Sequence, residues 1–422
     1  MPSRSNLSIT REEALLFFTT LALMTTSGSN WSIWFLAVVA VATVIINGKL
    51  DKNNVLIAVL LSSLLFLNSY VLGKAAFDMH EYLVYIARFM GLALVAAYLN
   101  YNRFFEMYAR ILYWVFIVTI PLWAITLICN HIGLGGILPT GLLNLIMMDS
   151  TSSLLRLKAI FWEGGVCAIH ANIALTYCIC KGINERRVRR MAAVFVLAVL
   201  CSVSTTGYIV LVLQVVLYCV KNAKSIRFQR LKIPRKIVII FLIGLGVFIV
   251  EEAVFGVVVG KLLGGEHSFS SRYDDTLLAL LIAKDNFWYG IGVATDTQIV
   301  FLEYFYTNPI YKKYQKYFAP DLASSNGLGN CMYKAGVLFT LFYLVIIYFR
   351  LHKTLKLSRI ESALIWLMYF CFFFGEPIMS VPMMLMFFFS IKDRSLELAG
   401  DNIDEQRDNI YERSYICNNS SL

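Results

Sequence analysis

The most conspicuous shortage in this sequence is charge. Only 15% of its 422 residues are charged, whereas 59% are hydrophobic, and the mean hydropathy is +0.67. A soluble protein of this size could not cover so much apolar surface with so few charged side chains. The composition therefore excludes a soluble globular protein and predicts an all-α polytopic membrane protein.

Several functional motifs are also missing. Cysteine is absent from residues 261–326, the longest polar stretch before the C-terminal tail, so a disulfide framework there is excluded. There is no P-loop and no pair of metal-ligating motifs, so we expect neither a metal ion nor another cofactor. The first apolar run lacks a small-residue cleavage pattern, so no cleavable signal peptide is expected.

The net charge of +10 is explained by membrane topology. With the N-terminus in the cytoplasm and twelve crossings, 26 of the 37 Lys and Arg residues fall in cytoplasmic segments. Cytoplasmic loops carry such an excess, so we expect no nucleic-acid partner. The basic loops 181–190 and 221–236 lie on one side only if residues 191–220 form a hairpin. We therefore predict two short spans there and not one long helix.

Apolar runs of roughly 17 to 25 residues can cross a hydrocarbon core of about 30 Å as helices. We predict one transmembrane domain over residues 1–391 with about twelve transmembrane helices and both termini cytoplasmic. Residues 261–326 would form a long periplasmic loop with helical segments, and residues 392–422 a disordered cytoplasmic tail. The predicted spans are 13–28, 31–47, 55–73, 82–99, 111–133, 164–180, 191–203, 207–220, 237–260, 327–349, 360–375 and 379–391.

Charged residues inside spans are costly and indicate functional sites. With this topology Arg88, Glu251, Glu252 and Lys334 lie in the outer halves of their spans, and Glu376 lies at the outer turn between the last two spans. An outward-facing polar cavity explains their one-sided placement. The alternative is that some span boundaries are misplaced and that these residues lie at the membrane surface.

A second polar cluster precedes the sixth span and contains Arg156, Lys158 and Glu163. Glu163 and His170 are seven residues apart and therefore share a helix face. A carboxylate and an imidazole so placed can act as a general acid or base. The alternative is a satisfied structural pair, and for His170 alone that interpretation is the stronger one.

Cations around an outer cavity suit an anionic ligand, and aromatic rings interleaved with carboxylates suit a sugar. A lipid-linked pyrophosphate sugar meets both demands, and its lipid requires the membrane. Arg272 is the only arginine in the long loop and precedes an apolar helical run. A helix N-terminus and a guanidinium group both favour phosphate. A local pair with Asp274 or Asp275 is the alternative for this arginine.

Four local patterns, in this order, resemble the O-antigen polymerase (Wzy-type) and O-antigen ligase superfamily of bacterial inner-membrane proteins. They cover roughly residues 150–350 and are Arg156…Phe161-Trp162-Glu163, Ser204-Thr205-Thr206-Gly207, Ser271-Arg272 through Gly290-Ile291-Gly292, and Ser325-Asn326…Gly336. Phe287 stands where the family usually has proline, and Ser325 where ligases have histidine. The missing histidine favours a polymerase over a ligase.

The resemblance implies a metal-independent glycosyltransferase at the periplasmic face of the inner membrane. It would transfer a growing glycan from undecaprenyl pyrophosphate to the next lipid-linked repeat unit. The implied partners are this lipid-linked oligosaccharide, membrane lipids and a chain-length regulator membrane protein. Candidates to bind pyrophosphate or glycan are Arg272, Arg88, Lys334, Arg156, Asn326, Glu376 and Trp288. Candidates to accept the proton of the attacking hydroxyl are Glu163, His170, His267 and Asp275, and the choice among them stays open.

Two other functions are considered. A ligase would move finished glycan to another acceptor, and a transporter or flippase would move lipid-linked sugars or other solutes. Transporters place binding residues near the midplane and often show repeat symmetry. Here the charges lie in the outer half beneath a long outer loop, which favours an enzyme.

The predicted topology is tested by reporter fusions. After Gly265, a reporter that works only when exported should be active. After Lys224, a reporter that works only in the cytoplasm should be active. The physical reason is that loops rich in Lys and Arg, such as the one that contains Lys224, stay on the cytoplasmic side. If the fusion after Lys224 reports the periplasm, the hairpin over residues 191–220 is wrong.

Overall fold

The computed structural model describes residues 10–24, 30–47, 50–132, 147–148, 156–161, 163–183, 185–222, 278–295, 297–307, 326–355, 357–376, 378 and 381–389. Helices dominate this part of the chain. They are α1 (Arg11–Met24), α2 (Asn30–Asn47), α3 (Lys52–Phe66), α4 (Met79–Ala96), α5 (Tyr101–His131), α6 (Gly164–Lys181), α7 (Arg186–Cys201), α8 (Thr205–Asn222), α9 (Thr297–Thr307), α10 (Gly327–Ala335), α11 (Val337–Leu355), α12 (Arg359–Gly375) and α13 (Pro382–Leu385). Residues 278–285 are also helical.

The remaining regular structure is brief. A π-helical turn, Leu67–Val71, continues α3, and a 3-10 turn, Met386–Phe388, continues α13. Two short strands, β1 (Met147–Met148) and β2 (Arg156–Leu157), pair antiparallel. The prediction of an all-α architecture is therefore confirmed for the described residues in its broad form.

Several helices carry the apolar character of membrane spans. Four are long and apolar enough to cross a membrane, namely Lys52–Val71, Met79–Ala96, Tyr101–Cys129 and Thr205–Asn222, and α2 contains a shorter apolar stretch, Ile33–Ile46. Large side chains on their outer faces are widely exposed, including Trp34 at 68%, Ile45 at 75% and Trp114 at 65%. Extended apolar surfaces of this kind are typical of membrane contact.

Helix α6 lies at the centre of the packed helices. Residues 164–175 are all buried, and α6 packs against α5, α7 and α8. Its small residues, which include Gly164, Gly165 and Ala168, allow neighbouring backbones to approach closely, as is common between helices in membranes. Polar groups lie at the two ends of the bundle, and this central helix runs between those ends.

Basic side chains meet at one end of the bundle. Glu106, near the start of α5, is paired with Arg110, and one of its carboxylate oxygens lies 3.5 Å from Lys181 Nζ at the end of α6. Lys221, at the end of α8, donates to the carbonyl of Cys180. The end of α8 therefore returns to the end of α6, so α7 and α8 run in opposite directions.

Polar caps fix where the helices carrying two predicted site residues begin. Asp78 Oδ1 accepts from the backbone N–H groups of His80 and Glu81, at 2.9 and 3.1 Å, and starts α4. Asn326 Oδ1 accepts from the N–H of Gly329 at 2.9 Å and starts α10. Such caps satisfy amide groups that have no partner in the first helical turn.

Two of the predicted spans do not form a single long helix. The stretch 327–349 is broken at Gly336 into α10 and α11, and residues 382–388 form only α13 and its 3-10 turn. Residues 381–389 are all buried, and α13 with its turn packs against α1, α4 and α11. These hydrophobic side chains therefore pack inside the bundle. Sequence periodicity does not distinguish a segment buried in this way from one that contacts lipid. The predicted span 237–260 lies outside the described residues.

The break in the predicted tenth span is bridged by the docked segment, which we define as residues 287–295. Ile291 N–H donates to the carbonyl of Tyr333 at 2.8 Å, and Gly292 N–H to that of Lys334 at 3.0 Å. In return Val337 N–H donates to the carbonyl of Phe287 at 2.9 Å. The backbone groups freed by the helix break are therefore paired again.

The docked segment also joins the start of α4. The backbone N–H groups of Lys74 and Asp78 donate to the carbonyls of Ile291 and Ala294, each at 3.0 Å. Phe77 and Thr295 form an antiparallel bridge beside them. One stretch of backbone thus connects the end of α3 and the start of α4 to the break between α10 and α11.

Glycine is required where these backbones touch. Gly290 has φ +69° and Gly336 has φ +91°. A Cβ at Gly290 would overlap the carbonyl of Lys334, and one at Gly336 the carbonyl of Trp288. Any side chain at these positions would both adopt an unfavourable conformation and separate the docked segment from the broken helix.

Gly336→Ala is expected to destabilise the protein more than Gly182→Ala. Both glycines have positive φ, but a Cβ at Gly182 meets nothing within 4 Å. The control therefore carries the conformational cost alone, on the order of 1–2 kcal/mol, whereas Gly336→Ala adds a backbone overlap. Thermal unfolding of the purified variants measures the difference. Equal losses would contradict the close approach.

Candidate functional site

One cavity of about 520 Å³ lies beside the docked segment and is enclosed by α3, α4, α10, α11 and α13. Most of its wall is apolar, and polar groups occupy part of it. It is lined by Leu61, Leu64, Leu65, Leu67, Asn68, Leu72, His80, Glu81, Val84, Tyr85, Arg88, Phe89, Trp288, Tyr289, Val293, Gly327, Asn330, Cys331, Lys334, Ala335, Phe339, Tyr343, Leu385 and Phe388. Concave sites with an apolar lining and a few converging polar groups are typical of ligand pockets.

Three predicted site residues line this cavity: the cations Arg88 and Lys334, and Trp288. The guanidinium carbon of Arg88 lies 5.3 Å from the centre of the Tyr85 ring, a cation–π contact. Glu81 lines the same cavity, and its charge acts on Lys334. Two cations and one carboxylate lie in a largely apolar enclosure, which leaves an excess of positive charge.

Two polar atoms in the lining are buried without a hydrogen-bond partner among the described residues. They are Nε of Arg88, a donor, and Oδ1 of Asn330, an acceptor. Buried polar groups normally have hydrogen-bond partners, and unsatisfied ones in a native structure call for an explanation. A ligand that both accepts and donates hydrogen bonds would satisfy them together.

The docked segment places an aromatic pair in the cavity wall. Trp288 and Tyr289 line the cavity while remaining 61% and 58% exposed, so they lie at its mouth. Asn68 holds this stretch with both ends of its amide: Nδ2 donates to the carbonyl of Tyr289, and Oδ1 accepts from Val293 N–H at 2.9 Å. Ser69 Oγ accepts from Ala294 N–H at 2.9 Å.

The residues before the docked segment also anchor it. Leu278 and Ile282 are buried, and they pack with Ile291, Val300 and Tyr333 in a small hydrophobic cluster. The sequence predicts that this apolar helical run docks on the spans, and Tyr333 of α10 is the contact by which it does so. The helix carries the loop close to the cavity.

A second polar group of residues lies at the start of α6 and is absent from the described lining of the cavity. Glu163 directly precedes α6. Glu376 follows α12, is 3% exposed, and fills the space that a Cβ of Gly165 would need. Gly375 lies against Thr206, in the first turn of α8. Two of the four sequence patterns are therefore close in space.

Arg156 belongs to the same region. It lies in β2, beside Gly164, and its charge acts on the Tyr208 hydroxyl. Its Nε is buried without a hydrogen-bond partner among the described residues. The structure thus places Arg156 with Glu163 and apart from Arg88 and Lys334.

His170 is enclosed within the bundle. Its ring stacks on Phe161 with 4.2 Å between the ring centres, and its Nδ1 lies 2.7 Å from the hydroxyl oxygen of Tyr108. It is 3% exposed and does not line the cavity. These contacts agree with the structural interpretation of this residue.

The other predicted site residues are placed as follows. Asn326 caps α10 and adjoins Gly327 in the cavity wall. Arg272, His267 and Asp275 lie outside the described residues.

Sequence reasoning missed several cavity residues. Asn330 is four residues before Lys334 and so lies on the same helix face, a spacing that was available in the sequence. His80 is eight residues before Arg88 on α4. Asn68 and Tyr289 left no such signal, because their contribution depends on the contact between α3 and the docked segment.

No group of three or more His, Cys, Asp or Glu side chains that could hold a metal ion occurs in the described part of the chain. No family model matches the chain. No curated protein and no solved structure matches it either.

Asn68→Ala is expected to release the docked segment locally. It removes two hydrogen bonds, each of which contributes about 0.5–1.5 kcal/mol. Hydrogen exchange at the amides of Val293 and Ala294 should accelerate at least about tenfold, since 1.4 kcal/mol is a factor of ten. The exposed Asn53→Ala on the same helix is the control. Unchanged exchange in Asn68→Ala would show that its amide does not hold the segment.

Proposed function

We propose that this membrane protein is a polysaccharide repeat-unit polymerase of the Wzy type. It would transfer a growing glycan from undecaprenyl pyrophosphate to the next lipid-linked oligosaccharide at the periplasmic face of the bacterial inner membrane. The observation that carries the proposal is a single cavity with leucine-rich walls, two cations and an aromatic mouth.

The three parts of the cavity correspond to the three parts of the donor. Leu61, Leu64 and Leu65 offer an apolar surface for a polyprenyl chain. Arg88 offers a planar fork of donors that suits phosphate oxygens, and Lys334 adds a compact positive charge. Trp288 and Tyr289 present ring faces on which sugars stack.

The charge distribution supports the proposed orientation. Lys181 and Lys221 lie together at one end of the bundle, which we assign to the cytoplasm. The capped start of α4, at Asp78, lies at the other end, and the cavity opens there. We retain twelve crossings as the topology in this proposal.

The cavity cations would act on the leaving group. When the bond between the anomeric carbon and the pyrophosphate breaks, negative charge accumulates on the phosphate oxygens. Preorganised cations in a water-poor, low-dielectric site stabilise that charge more strongly than they would in water. Arg88 and Lys334 would therefore bind undecaprenyl pyrophosphate most tightly as it departs.

The cluster around α6 has a separate place in the proposal. Arg156 and Glu376, with Glu163, would contact the incoming lipid-linked unit or the glycan. In the long loop, Arg272, His267 and Asp275 remain candidates to contact the same substrates. A chain-length regulator membrane protein remains the proposed protein partner.

Arg88→Leu is expected to lower polymer formation by about 100-fold or more, which is the usual effect of removing one preorganised charge-stabilising donor. Lys334→Gln should have a similar effect. The exposed Arg103→Leu at the opposite end of the bundle is the matched control and should retain the wild-type ladder. The assay is the distribution of glycan lengths in a deletion strain that carries each variant at equal protein levels.

The deletion strain itself discriminates the three functions. A polymerase mutant displays single repeat units on its surface glycolipid. A ligase mutant accumulates polymer on undecaprenol, and a flippase mutant retains units inside the cell. Either of the last two phenotypes would overturn the proposal, as would a wild-type ladder from Arg88→Leu.

A further inference from the structure

We infer that Glu81 is the base that accepts the proton of the attacking sugar hydroxyl. The inference rests on the proposed polymerase function and names a residue that the sequence patterns did not select. Its basis is that Glu81 is the one carboxylate among the described residues that line the cavity containing Arg88 and Lys334.

Helix α4 holds Glu81 in a defined position. Its backbone N–H is bonded to Asp78 Oδ1 at 3.1 Å, which fixes the first turn of the helix. Glu81, Tyr85 and Arg88 follow at spacings of four and three, so they lie on one face, and all three line the cavity. The carboxylate and the guanidinium group are thus two turns apart along a rigid element.

The Glu81 carboxylate is available for chemistry. It makes no hydrogen bond and no ion pair within 4.0 Å with any residue of the described part of the chain. Its charge interacts electrostatically with Lys334 without direct contact. A carboxylate that served only to neutralise a cation would gain most from direct contact, and none is formed.

The competing proton acceptors are less well placed. Nδ1 of His170 is occupied by the Tyr108 hydroxyl, and Glu163 and Glu376 belong to the cluster around α6. His80 does line the cavity, but its side chain is exposed at the mouth. Glu81 is half-buried and faces the same space as the cations that would bind the leaving group.

The transfer balances with the groups present. The oxygen of the acceptor hydroxyl forms a bond to the anomeric carbon of the donor sugar, and the bond from that carbon to the pyrophosphate oxygen breaks. The bonding electron pair leaves with undecaprenyl pyrophosphate, which Arg88 and Lys334 receive. The hydroxyl proton passes to a carboxylate oxygen of Glu81 and then to water after product release.

The test uses the full-length protein in lipid nanodiscs with undecaprenyl-pyrophosphate-linked repeat units extracted from the deletion strain. Glu81→Gln should lower kcat by about 100-fold to 10,000-fold, which is the usual contribution of a general base. KM and the binding of undecaprenyl pyrophosphate should change by less than about fivefold, because the phosphate-binding cations remain. Retained binding also shows that the variant is folded.

Two further variants separate proton transfer from a structural role. Glu81→Ala should regain part of its turnover when sodium formate is added, because the small carboxylate can occupy the vacated space. Glu81→Asp should be intermediate, since its carboxylate is withdrawn by one methylene. If Glu81→Gln does not fold, these two variants decide the question. Glu303→Gln, an exposed glutamate of α9, is the control and should match the wild type.

The outcomes distinguish the two proposals. If the wild type extends the repeat units and Glu81→Gln keeps kcat within threefold, Glu81 is not the base and the polymerase function stands. Loss of turnover in His80→Asn together with normal turnover in Glu81→Gln would assign the proton to His80 instead. If the wild type binds the donor but extends no units, both the polymerase function and the role of Glu81 are overturned.

Discussion

The rest of the structure depends on pairing the backbone groups where the tenth apolar stretch breaks at Gly336. In an apolar environment an unpaired peptide group costs several kcal/mol, so an interrupted helix persists only if other groups replace the lost bonds. The docked segment supplies them through Phe287, Ile291 and Gly292. Because the replacement is backbone to backbone, the two chains must approach closely, and glycine is needed at the contact.

That close contact builds the cavity. It fixes Lys334, on the last turn of α10, beside Trp288 and Tyr289 of a distant part of the chain. The same segment is bonded on its other side to Lys74 and Asp78, which positions the start of α4 and hence Arg88. Arg88 and Lys334 come from separate helices. They converge on one cavity because the docked segment forms backbone hydrogen bonds with both the start of α4 and the break after α10.

The cavity combines features that would each be unfavourable alone. Arg88 and Lys334 lie among leucine and phenylalanine side chains, where isolated charges are costly. Buried polar atoms of Arg88 and Asn330 have no hydrogen-bond partner in the part of the chain that the structure describes. An anionic amphiphile would neutralise the cations, satisfy the polar atoms and cover the apolar wall at once, which a water-filled cavity would not.

The sequence by itself determined the class of protein, because composition and the length of apolar runs are local properties that a bilayer selects directly. It also identified Arg88 and Lys334, since a charge within an apolar run is visible without a structure. Only the tertiary structure decided that Arg88 and Lys334 line the cavity whereas Glu376 packs against Gly165. It alone also decided that His170 packs between Phe161 and Tyr108, and that residues 382–388 are interior turns. These facts depend on which helix faces meet. A contact between two distant segments leaves no periodic signal in the sequence of either segment.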